Sequence, residues 1–389
     1  MESIVIFTNI LTPYRVYFYD QMHVVCKKAK IDFHVLVMSI TEENRNWNYE
    51  EFSRDYTILL SGKQIKVGSY VLNINKGISK VIDSLNPDFI IAAGSYIHPS
   101  IWKLISIKSK YHFCIFFWSE SHLNIKRNYG KLKLFIREQI RKRIYQKFDG
   151  FIYAGKLSLM FIQKYCRKEA GMIFMPNLVD DCFYSTRVVS NEEKKAIRMN
   201  MQISDKEKIF ICPARLSNEK GLIPFLKLLA KCEINSDFYL LIVGDGVLKN
   251  ELQMLIDQNR LPVILVGHKQ QNEIRKLYQI ADGFILPSIG DSNPLTCIEA
   301  LWSELPLLLS EHVGNSPEVI NESQNGYIFS YNNQQESIEK IIKFIDADEK
   351  WIANARDVSL KIAKKNFNSS IEVNRVIKEI ANYFNKNLS

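Results

Sequence analysis

The chain has 389 residues, of which 47% are hydrophobic, and its formal net charge at pH 7 is +9. This length suits two domains, and this composition is ample for two buried cores. The sequence has no apolar run near the roughly 20 residues that a membrane-spanning helix needs, and its N-terminus lacks the basic region of a signal peptide. We therefore expect a globular cytoplasmic protein that is neither exported nor threaded through a bilayer.

The seven cysteines are odd in number and scattered along the chain, and they form no Cys-x-x-Cys pair. This pattern argues against both a disulfide framework and a zinc site. We interpret the cysteines as reduced and mostly structural. Asp346-Ala-Asp348 has the spacing of a D-x-D metal motif, but it lies in a charged region near the C-terminus rather than after a strand. We expect it to lie on the surface, and we expect no essential metal and no bound cofactor.

The excess positive charge lies in the first half of the chain. Residues 1–185 carry a net charge of +10, and residues 126–147 alone hold nine bases and one acid. Within a predicted helix over 127–148, apolar residues recur every four positions, which makes the helix amphipathic. These residues are Leu132, Ile136, Ile140 and Ile144.

Three interpretations of this basic helix are open. An anionic membrane surface is favoured, because each base near such a surface adds about 1 kcal/mol of attraction. A solvated helix packed on its own domain explains the apolar stripe equally well. Nucleic acid is disfavoured, since Tyr129, Phe135 and Tyr145 are too widely spaced to form a continuous stacking surface.

Strands alternate with helices through the first half, which predicts a parallel sheet. Residues 3–9 read as a buried strand, followed by Thr12 as a helix N-cap and Pro13 at the first helical position. Further strands are predicted over 31–38, 88–92, 112–118 and 150–153. Helices are predicted over 74–85 and 99–108.

The polar stretch 186–206 is the best candidate for a domain boundary. A second alternation of strands and helices follows it and continues to a last amphipathic helix that begins near residue 371. We therefore predict a first domain over 1–185, a second over 186–370 and a C-terminal helix over 371–389.

Residues 285–309 join a buried strand, a polar turn, a helix start and a second strand. Free backbone amides and the positive end of the helix dipole suit an anion at that start. Asp291 lies in the turn, and Glu299 follows eight residues later, about two helical turns on.

Four further motifs occur in the second half. Arg215-Leu-Ser-Asn-Glu-Lys-Gly221 follows a strand and opens a helix, where Arg215 and Lys220 can both face phosphate. Gly244 ends a strand within Val-Gly-Asp-Gly, Gly267 lies within Val-Gly-His, and Gly314 precedes Glu318 by four residues. Any one of these motifs can be a purely structural turn. The order in which all of them occur along the chain is more specific than any single motif.

In this order the motifs resemble the R-x4-K-G and E-x7-E signatures of family-4 retaining glycosyltransferases, the glycosyltransferase group 1 of GT-B fold. Here Asp291 replaces the usual first glutamate. The resemblance implies two Rossmann-like parallel-sheet domains facing a cleft, with the C-terminal helix crossing back to the first domain. It implies sugar transfer from a nucleoside diphosphate sugar, UDP or GDP, with retention at the anomeric carbon.

The resemblance also implies roles for individual residues. Glu299 holds the ribose hydroxyls, Asp291 binds the transferred sugar, and Arg215 and Lys220 bind phosphate. Glycines that permit close backbone approach and residues at the helix start complete the donor site: Gly244, Gly267, Asn293, Pro294, Leu295 and Thr296. Since no enzyme nucleophile is evident, we expect front-face displacement, in which the leaving phosphate helps to take the acceptor proton.

The first half is expected to hold the acceptor, and it departs from the family pattern. The glycine-rich first loop is replaced by residues 9–15, in which Thr12 and Arg15 are acceptor-side candidates. The histidine common at the end of a sugar-facing strand is replaced by Glu120 or His122, and we choose Glu120 as the catalytic candidate beside Asp291 and Glu299. His98 lies in another strand-end loop that is expected to line the cleft.

The expected partners are a nucleotide sugar, a glycan or polyprenyl-diphosphate-linked acceptor, and an anionic membrane on the inner face of the cell, with no nucleic acid. The resemblance suggests a capsule or O-antigen type of polysaccharide. A glycoside hydrolase also uses paired carboxylates, but it has no need of the phosphate-binding Arg215 and Lys220. A nucleotide-sugar epimerase of the same architecture and a catalytically silent nucleotide-sugar-binding subunit remain alternatives.

Overall fold

The computed structural model describes residues 1–41, 49–68, 70–123 and 130–388. The chain divides into two compact units. The first comprises the described residues within Met1–Glu120, Arg127–Val179 and Ser369–Ser389, and the second those within Ser121–Lys126 and Asp180–Asn368. The division falls a few residues before the predicted boundary at 185, and residues 121–123 join the second unit although they lie within the predicted first domain.

The strands of the described residues are β1 (Ser3–Thr8), β2 (Asp32–Val37), β3 (Thr57–Leu59), β4 (Gly62–Val67), β5 (Tyr70–Asn75), β6 (Phe89–Ala92), β7 (Cys114–Ser119), β8 (Gly150–Tyr153), β9 (Gly171–Phe174), β10 (Lys208–Pro213), β11 (Phe238–Val243), β12 (Val263–Gly267), β13 (Gly283–Leu286), β14 (Leu307–Ser310) and β15 (Gly326–Phe329). The helices are α1 (Pro13–Lys28), α2 (Tyr49–Phe52), α3 (Ile78–Leu85), α4 (Pro99–Tyr111), α5 (Lys131–Tyr145), α6 (Lys156–Gln163), α7 (Asp181–Ser185), α8 (Asn191–Asn200), α9 (Leu222–Leu229), α10 (Lys249–Asn259), α11 (Gln271–Ile280), α12 (Leu295–Trp302), α13 (Ser316–Val319), α14 (Gln334–Ile345), α15 (Glu349–Asn366) and α16 (Ser369–Leu388).

The first unit is built on a parallel sheet of order β3-β2-β1-β6-β7-β8-β9. Strands β1 and β7 are buried along their whole length, which explains their continuous apolar sequence, since a parallel sheet is covered on both faces. The chain runs outward from β1 to β3 and then returns to β6, so the strand order reverses between β1 and β6.

An antiparallel hairpin of β4 and β5 interrupts this alternation and was not predicted. The following helix was predicted to begin at residue 74, but β5 reaches Asn75 and the helix begins at Ile78. Gly77, with φ of +72°, turns the chain between the two elements. This left-handed conformation favours glycine, so Gly77 marks the end of the strand. The apolar residues before it fit the period of a strand and that of a helix alike.

The second unit is built on a parallel sheet of order β12-β11-β10-β13-β14-β15, and its strand order reverses between β10 and β13. The predicted boundary stretch 186–206 contains helix α8, which Ser190 caps by accepting a hydrogen bond from the Glu193 amide. The buried Arg198 of α8 donates to the carbonyls of Ser204 and Glu207. This polar stretch is therefore an ordered part of the second unit.

The C-terminal helix α16 belongs to the first unit, as predicted. Arg375 donates a hydrogen bond of 2.8 Å to the carbonyl of Phe174 at the end of β9. The ring of Tyr383 packs edge-on against Phe116 with ring centroids 4.8 Å apart. Because Gly171 leaves room for the Tyr383 ring, this face of the first sheet is covered by the last helix of the chain.

Candidate functional site

The motif residues of the second unit meet where its strand order reverses. The loop after β10 contains Arg215 and Lys220, and the loop after β13 contains Asp291. The two loops touch, since the Ile289 amide donates to the Glu219 carbonyl at 2.9 Å. The carboxyl edge of an open parallel sheet at such a reversal is where ligands bind in this class of fold.

Lys220 and Asp291 form an ion pair across these two loops, with Nζ and Oδ2 2.5 Å apart. Only 19% and 15% of their side-chain surfaces are exposed. The structure thus places one cation and one carboxylate side by side. A nucleotide sugar carries the complementary groups on adjacent positions, because its diphosphate is joined directly to the sugar.

Arg215 is held differently from Lys220. Its side chain is 72% exposed and donates to Glu219 Oε1 at 2.9 Å, and the Ser217 hydroxyl donates to the same oxygen at 2.7 Å. Burial raises the pKa of Glu219, but the Ser217 hydroxyl, a backbone amide and the charges of Arg215 and Lys220 outweigh this and leave the pKa below its ordinary value. Glu219 therefore stays charged and orients Arg215 at the edge of the site.

Glu299 lies in α12 and is half-buried. Tyr278 donates a hydrogen bond of 2.9 Å to its Oε2. Burial raises the pKa of Glu299, and hydrogen bonds from Tyr184 and Tyr278 oppose that shift. The two tyrosines thus fix the carboxylate, although neither was predicted to belong to the site. The signal for them in the sequence is that the hydroxyl of a buried tyrosine needs a polar partner.

The buried thiol of Cys297 connects the three charged candidates. Burial raises its pKa well above the ordinary value, the negative charges of Asp291 and Glu299 add to that shift, and Lys220 opposes it. Cys297 lies two residues before Glu299 in α12, which begins directly after the loop that contains Asp291. The eight-residue spacing predicted only that Glu299 faces back towards the loop of Asp291, whereas Lys220 was assigned through the R-x4-K-G motif.

The predicted phosphate-binding backbone lies at the start of α12. Pro294 occupies the N-cap position and provides no side-chain hydrogen bond to the helix, and Asn315 Nδ2 donates to the Pro294 carbonyl at 2.9 Å. Asn293 is buried before it, and Leu295 and Thr296 form the first turn. The side chain of Pro294 therefore accepts no hydrogen bond from the backbone amides of the first turn. Amides at a helix start without a capping side chain can bind an anion.

Close backbone approaches hold the loops of the site together. Gly221 has φ of +64°, and a Cβ added there would lie 2.1 Å from the Pro287 carbonyl oxygen. A Cβ added to Gly314 would lie 1.7 Å from the Ser292 oxygen. Among the other predicted glycines, Gly244 donates its amide to the Gly267 carbonyl at 2.9 Å.

His122 was predicted on the acceptor side, within the first domain. The structure instead places it in the second unit, where it is buried and its Nε2 lies 3.1 Å from the backbone oxygen of Asp291. A Cβ added to Gly314 would also lie 2.8 Å from His122 Cδ2. His122 therefore supports the loop that carries Asp291.

The other acceptor-side candidates belong to the first unit. Arg15 forms an ion pair with Glu120, and Thr12 occupies the N-cap position of α1 without a side-chain cap bond. His98 is buried, and its Nδ1 accepts a hydrogen bond of 3.1 Å from the Asn73 amide. Burial lowers the pKa of His98 to about 4, so the imidazole is neutral at pH 7 and ties the β4–β5 hairpin to α4.

The basic helix is observed as α5, although residues 126–129 and the side chains of 131–133 lie outside the described residues. Four of its apolar side chains are 38–59% exposed: Leu134, Phe135, Ile136 and Ile140. Ile144 and Tyr145 at its C-terminal end are buried. In the part of the chain that the structure describes, no helix combines the length and the apolar character that crossing a membrane requires.

The two carboxylates of the D-x-D sequence bind backbone amides. Asp346 accepts hydrogen bonds from the amides of Asn235 and Ser236, and Asp348 caps α15 by accepting from the Trp351 amide at 2.7 Å. The ligand atoms of Asp180, Asp181 and Cys182 lie within 4.8 Å of one another, but Asp180 also caps α7. Helix capping accounts for Asp180 and Asp348.

Residues 193–358 match the family model described as Glycosyl transferases group 1. The alpha-monoglucosyldiacylglycerol synthase of Acholeplasma laidlawii is 29% identical over 198 residues, which cover 50% of this chain and 45% of the relative. The UDP-Gal:alpha-D-GlcNAc-diphosphoundecaprenol alpha-1,3-galactosyltransferase of Escherichia coli is 27% identical over 178 residues, or 44% of each chain. The chain thus spans about half the length, or less, of the curated relatives it matches.

Solved structures resemble the chain over nearly its whole length. Anabaena HepE in complex with UDP and glucose gives a TM-score of 0.71 at 16% identity and covers 98% of this chain and 100% of HepE. Sucrose-phosphate synthase from Thermosynechococcus elongatus gives a TM-score of 0.73 at 14% identity, with coverage of 99% and 100%. At such identities the likeness is one of fold, and the predicted GT-B fold is confirmed.

Proposed function

We propose that the chain is a glycosyltransferase that moves a sugar from a nucleoside diphosphate sugar to a hydroxyl of a glycan acceptor. The observation that carries this proposal is the ion pair of Lys220 and Asp291 at the strand reversal of the second sheet, in the loop directly before the helix that contains Glu299. Lys220 suits a phosphate, Asp291 suits the hydroxyls of the transferred sugar, and Glu299 suits the ribose hydroxyls. The match of residues 193–358 to Glycosyl transferases group 1 supports the same activity.

In the proposed mechanism, the positive groups stabilise the charge that develops as the diphosphate leaves. Lys220, Arg215 and the first-turn amides of α12 bind the phosphates, while Asp291 accepts hydrogen bonds from hydroxyls of the transferred sugar. Glu299, fixed by Tyr278, holds the ribose diol. The acceptor oxygen attacks the anomeric carbon on the face from which the diphosphate departs, so that configuration is retained. The bond between the anomeric carbon and the diphosphate oxygen breaks, and the leaving diphosphate takes the proton of the acceptor hydroxyl.

We propose a donor of the UDP or GDP type and a reaction that needs no metal. A lysine, an arginine and a helix start already supply positive charge around the phosphates. The proposed acceptor is a glycan or a polyprenyl-diphosphate-linked glycan of a capsule or O-antigen type. The name of the Escherichia coli relative, which describes transfer to a sugar on diphosphoundecaprenol, supports this class.

We also propose that α5 binds an anionic membrane on the inner face of the cell. Its exposed Leu134, Phe135, Ile136 and Ile140 are available to enter the headgroup boundary, and the bases of 126–147 suit anionic lipid. Vesicles of phosphatidylcholine with and without phosphatidylglycerol test this. Cosedimentation that does not depend on phosphatidylglycerol, or that survives Phe135→Ser together with Ile136→Ser, contradicts the proposal.

The activity is tested by incubating the chain with single UDP- and GDP-sugars, each with and without a panel of neutral alkyl glycosides and polyprenyl-diphosphate sugars. Proton NMR of the product reports the anomeric configuration. We expect one donor to yield an α-linked product from an α-linked donor, with turnover reduced at least 100-fold in Asp291→Ala and Glu299→Ala. Glu339→Ala, which changes an exposed glutamate of α14, is the matched control.

The alternatives give distinct results in the same assay. Isomerised donor in the absence of acceptor indicates an epimerase, and binding without any turnover indicates a silent nucleotide-sugar-binding subunit. Unchanged turnover in both Asp291→Ala and Glu299→Ala contradicts the assigned site.

A further inference from the structure

Tyr331 lies in the loop after β15, and its side chain joins the two loops of the candidate site. Its hydroxyl donates to the Pro287 carbonyl at 2.5 Å and to the Gly221 carbonyl at 3.2 Å. Pro287 begins the loop that contains Asp291, and Gly221 ends the loop that contains Lys220. One phenol therefore contacts the backbone of both loops, although Tyr331 has no place in the motifs from which the site was predicted.

The hydroxyl of Tyr331 is the donor in both hydrogen bonds. A carbonyl oxygen can only accept, so the two carbonyls cannot bond to each other. Burial raises the pKa of the Tyr331 phenol above its ordinary value, so the phenol keeps its proton at pH 7. The shared proton is what draws the Pro287 and Gly221 oxygens towards one point, and we call this contact the Tyr331 clamp.

The Tyr331 clamp lies beside the ion pair of the candidate site. Gly221 directly follows Lys220, whose Nζ lies 2.5 Å from Asp291 Oδ2. Between the clamp and the ion pair, the Ile289 amide donates to the Glu219 carbonyl at 2.9 Å. Because Gly221 is covalently joined to Lys220, a shift of the clamped carbonyl moves Lys220 relative to Asp291.

The ring of Tyr331 is held independently of its hydroxyl. It packs edge-on against Phe329 with ring centroids 5.3 Å apart, and it lies nearly parallel to His312, with centroids 6.4 Å apart and an interplanar angle of 10°. The His312 carbonyl in turn accepts from the Asp291 amide at 3.4 Å. Removal of the hydroxyl alone therefore keeps these ring contacts and leaves the two clamped carbonyls without their common donor.

The spacing of the two loops matters for a ligand that uses both of them. In the proposed donor complex, Lys220 faces phosphate and Asp291 faces the sugar that is bonded to that diphosphate. A ligand gains from two such groups only when their separation matches its own, since a misplaced group must be moved at a cost before it can bind. Groups placed by rigid backbone contacts meet this condition before the ligand arrives.

We propose that Tyr331 is a positioning residue for the nucleotide-sugar donor. Its hydroxyl fixes the separation of Lys220 and Asp291 by holding the backbone of the two loops that contain them. Tyr331 acts through these backbone groups and not by contact with the donor. This inference rests on the proposed function, because it names a residue that prepares the proposed donor site.

Nucleotide binding by Tyr331→Phe tests the proposal. UDP and GDP are titrated separately and followed by ligand-observed NMR, well below the melting temperature. For the nucleotide that wild type binds, we expect the dissociation constant to rise about tenfold in Tyr331→Phe, because Lys220 and the start of α12 lie in different loops and both face the phosphates. A purely structural role would lower the melting temperature without changing the affinity of the folded chain. Tyr327→Phe, at a half-buried tyrosine of β15 that stacks on Trp351, is the matched control.

A double variant tests whether Tyr331 acts through Lys220. Lys220→Met is expected to weaken nucleotide binding by itself, and ligand-observed NMR keeps such weak binding measurable. In the Lys220→Met background, Tyr331→Phe is expected to change the dissociation constant by about twofold or less, because no ammonium group remains for the clamp to place. Effects that multiply in the double variant overturn the inference, and so does an unchanged affinity in Tyr331→Phe alone.

Hydrogen exchange without nucleotide separates this inference from the proposed function. In Tyr331→Phe we expect faster exchange of the Ile289 and Asp291 amides, which donate to neighbouring loops, with unchanged protection of β11. If wild type binds neither nucleotide, the proposed function is contradicted. Faster exchange confined to the loops then supports the clamp, whereas unchanged exchange of the two amides overturns it. If Tyr331→Phe is unfolded in buffer, trimethylamine N-oxide restores the folded state, and the titrations are repeated in its presence.

Discussion

Tyr278 and Glu299 show how one buried contact prepares a carboxylate for hydroxyl recognition. Tyr278 is buried, and its hydroxyl donates to Glu299 Oε2 at 2.9 Å. Glu299 Oε2 is thereby hydrogen-bonded within the protein. The position of the other is fixed, because the carboxylate cannot turn without losing the bond from Tyr278.

Tyr278→Phe is expected to weaken donor binding without abolishing turnover. The change removes one hydrogen bond to a charged group, worth about 1.5–3 kcal/mol, so we expect KM for the donor to rise roughly 10- to 100-fold with a smaller change in kcat. Tyr239→Phe, in β11 and outside the site, is the control. If Tyr278→Phe and Tyr239→Phe gave the same KM and kcat, Tyr278 would have no role in donor binding.

At the residue scale, the sequence predicted the charged groups better than the groups that hold them. Lys220, Asp291 and Glu299 follow from motif spacing, because strand ends and helix periodicity place them together. Tyr184 and Tyr278 have no such pattern, since their contact with Glu299 depends on how α7 and α11 pack. His122 was assigned to the wrong unit for a similar reason: residues 121–123 pack on the second unit despite their position in the sequence.

At the scale of elements, the loops of the second sheet are held by close backbone contacts. The Gly314 amide donates to the Asp291 carbonyl at 2.9 Å, and a Cβ added to Gly314 would lie 1.7 Å from the Ser292 oxygen. The loop before α13 therefore fixes the loop that carries Asp291. A side chain at Gly314 forces the two loops apart.

Gly314→Ala is expected to destabilise the second unit by about 1–3 kcal/mol, the usual cost of overpacking, and to reduce turnover by displacing Asp291. Urea denaturation and steady-state kinetics measure the two effects. Gly130→Ala is the matched control, since none of the described residues lies within 4 Å of a Cβ added there. Equal stability of the two variants would contradict the close approach of Ser292 to Gly314.

His98 makes the junction of the hairpin and α4 sensitive to acid. The folded-state pKa of about 4 lies below the ordinary value of 6.5, so the unfolded chain binds the proton more readily. The contribution of His98 to stability is therefore fully present above pH 6.5 and is lost as pH falls towards 4. The full loss is about 3 kcal/mol.

Urea denaturation at pH 7.5 and pH 5 measures this effect. Wild type is expected to lose stability between the two values, and His98→Gln is expected to lose less, because it has no imidazole to protonate. His112→Asn, which changes an exposed histidine, is the control. A pH dependence of His98→Gln as steep as that of wild type would show that other groups account for it.

At the scale of the molecule, the end of the chain completes the first unit. Helix α16 covers the sheet through Tyr383 on Phe116 and through Arg375, which binds the Phe174 carbonyl and the carboxylates of Glu372 and Glu379. The first sheet therefore depends on residues more than 200 positions away in sequence.

Truncation after residue 368 is expected to destabilise the first unit selectively. Hydrogen exchange is expected to rise in β7 and β9, whose face α16 covers, while β10 and β13 keep their protection. Tyr383→Ala is a milder version of the same change, and Tyr239→Ala in the second unit is its control. Unchanged protection of β7 and β9 in the truncated chain would contradict the role of α16.

Much of the overall architecture could be predicted from the sequence, because alternating strands and helices specify parallel sheets and because apolar runs mark buried strands. The β4–β5 hairpin could not be predicted, since Gly62–Val67 is largely polar and exposed and, within the described ranges, pairs only with β5. The assignment of 121–123 to the second unit depends on contacts made after folding. Local pattern does not encode such contacts.

The central claim is that the strand reversal of the second sheet binds a nucleoside diphosphate, and thermal denaturation tests it most directly. A ligand that binds only the folded state raises its stability by RT ln(1 + [L]/Kd). UDP, GDP, ADP and CMP are added separately to wild type, to Lys220→Met and to the control Lys227→Met, each with and without EDTA. The account predicts that UDP or GDP raises the melting temperature of wild type and Lys227→Met, that EDTA has no effect, and that Lys220→Met shows little or no rise. No rise with any nucleotide, or an equal rise in Lys220→Met, would contradict it.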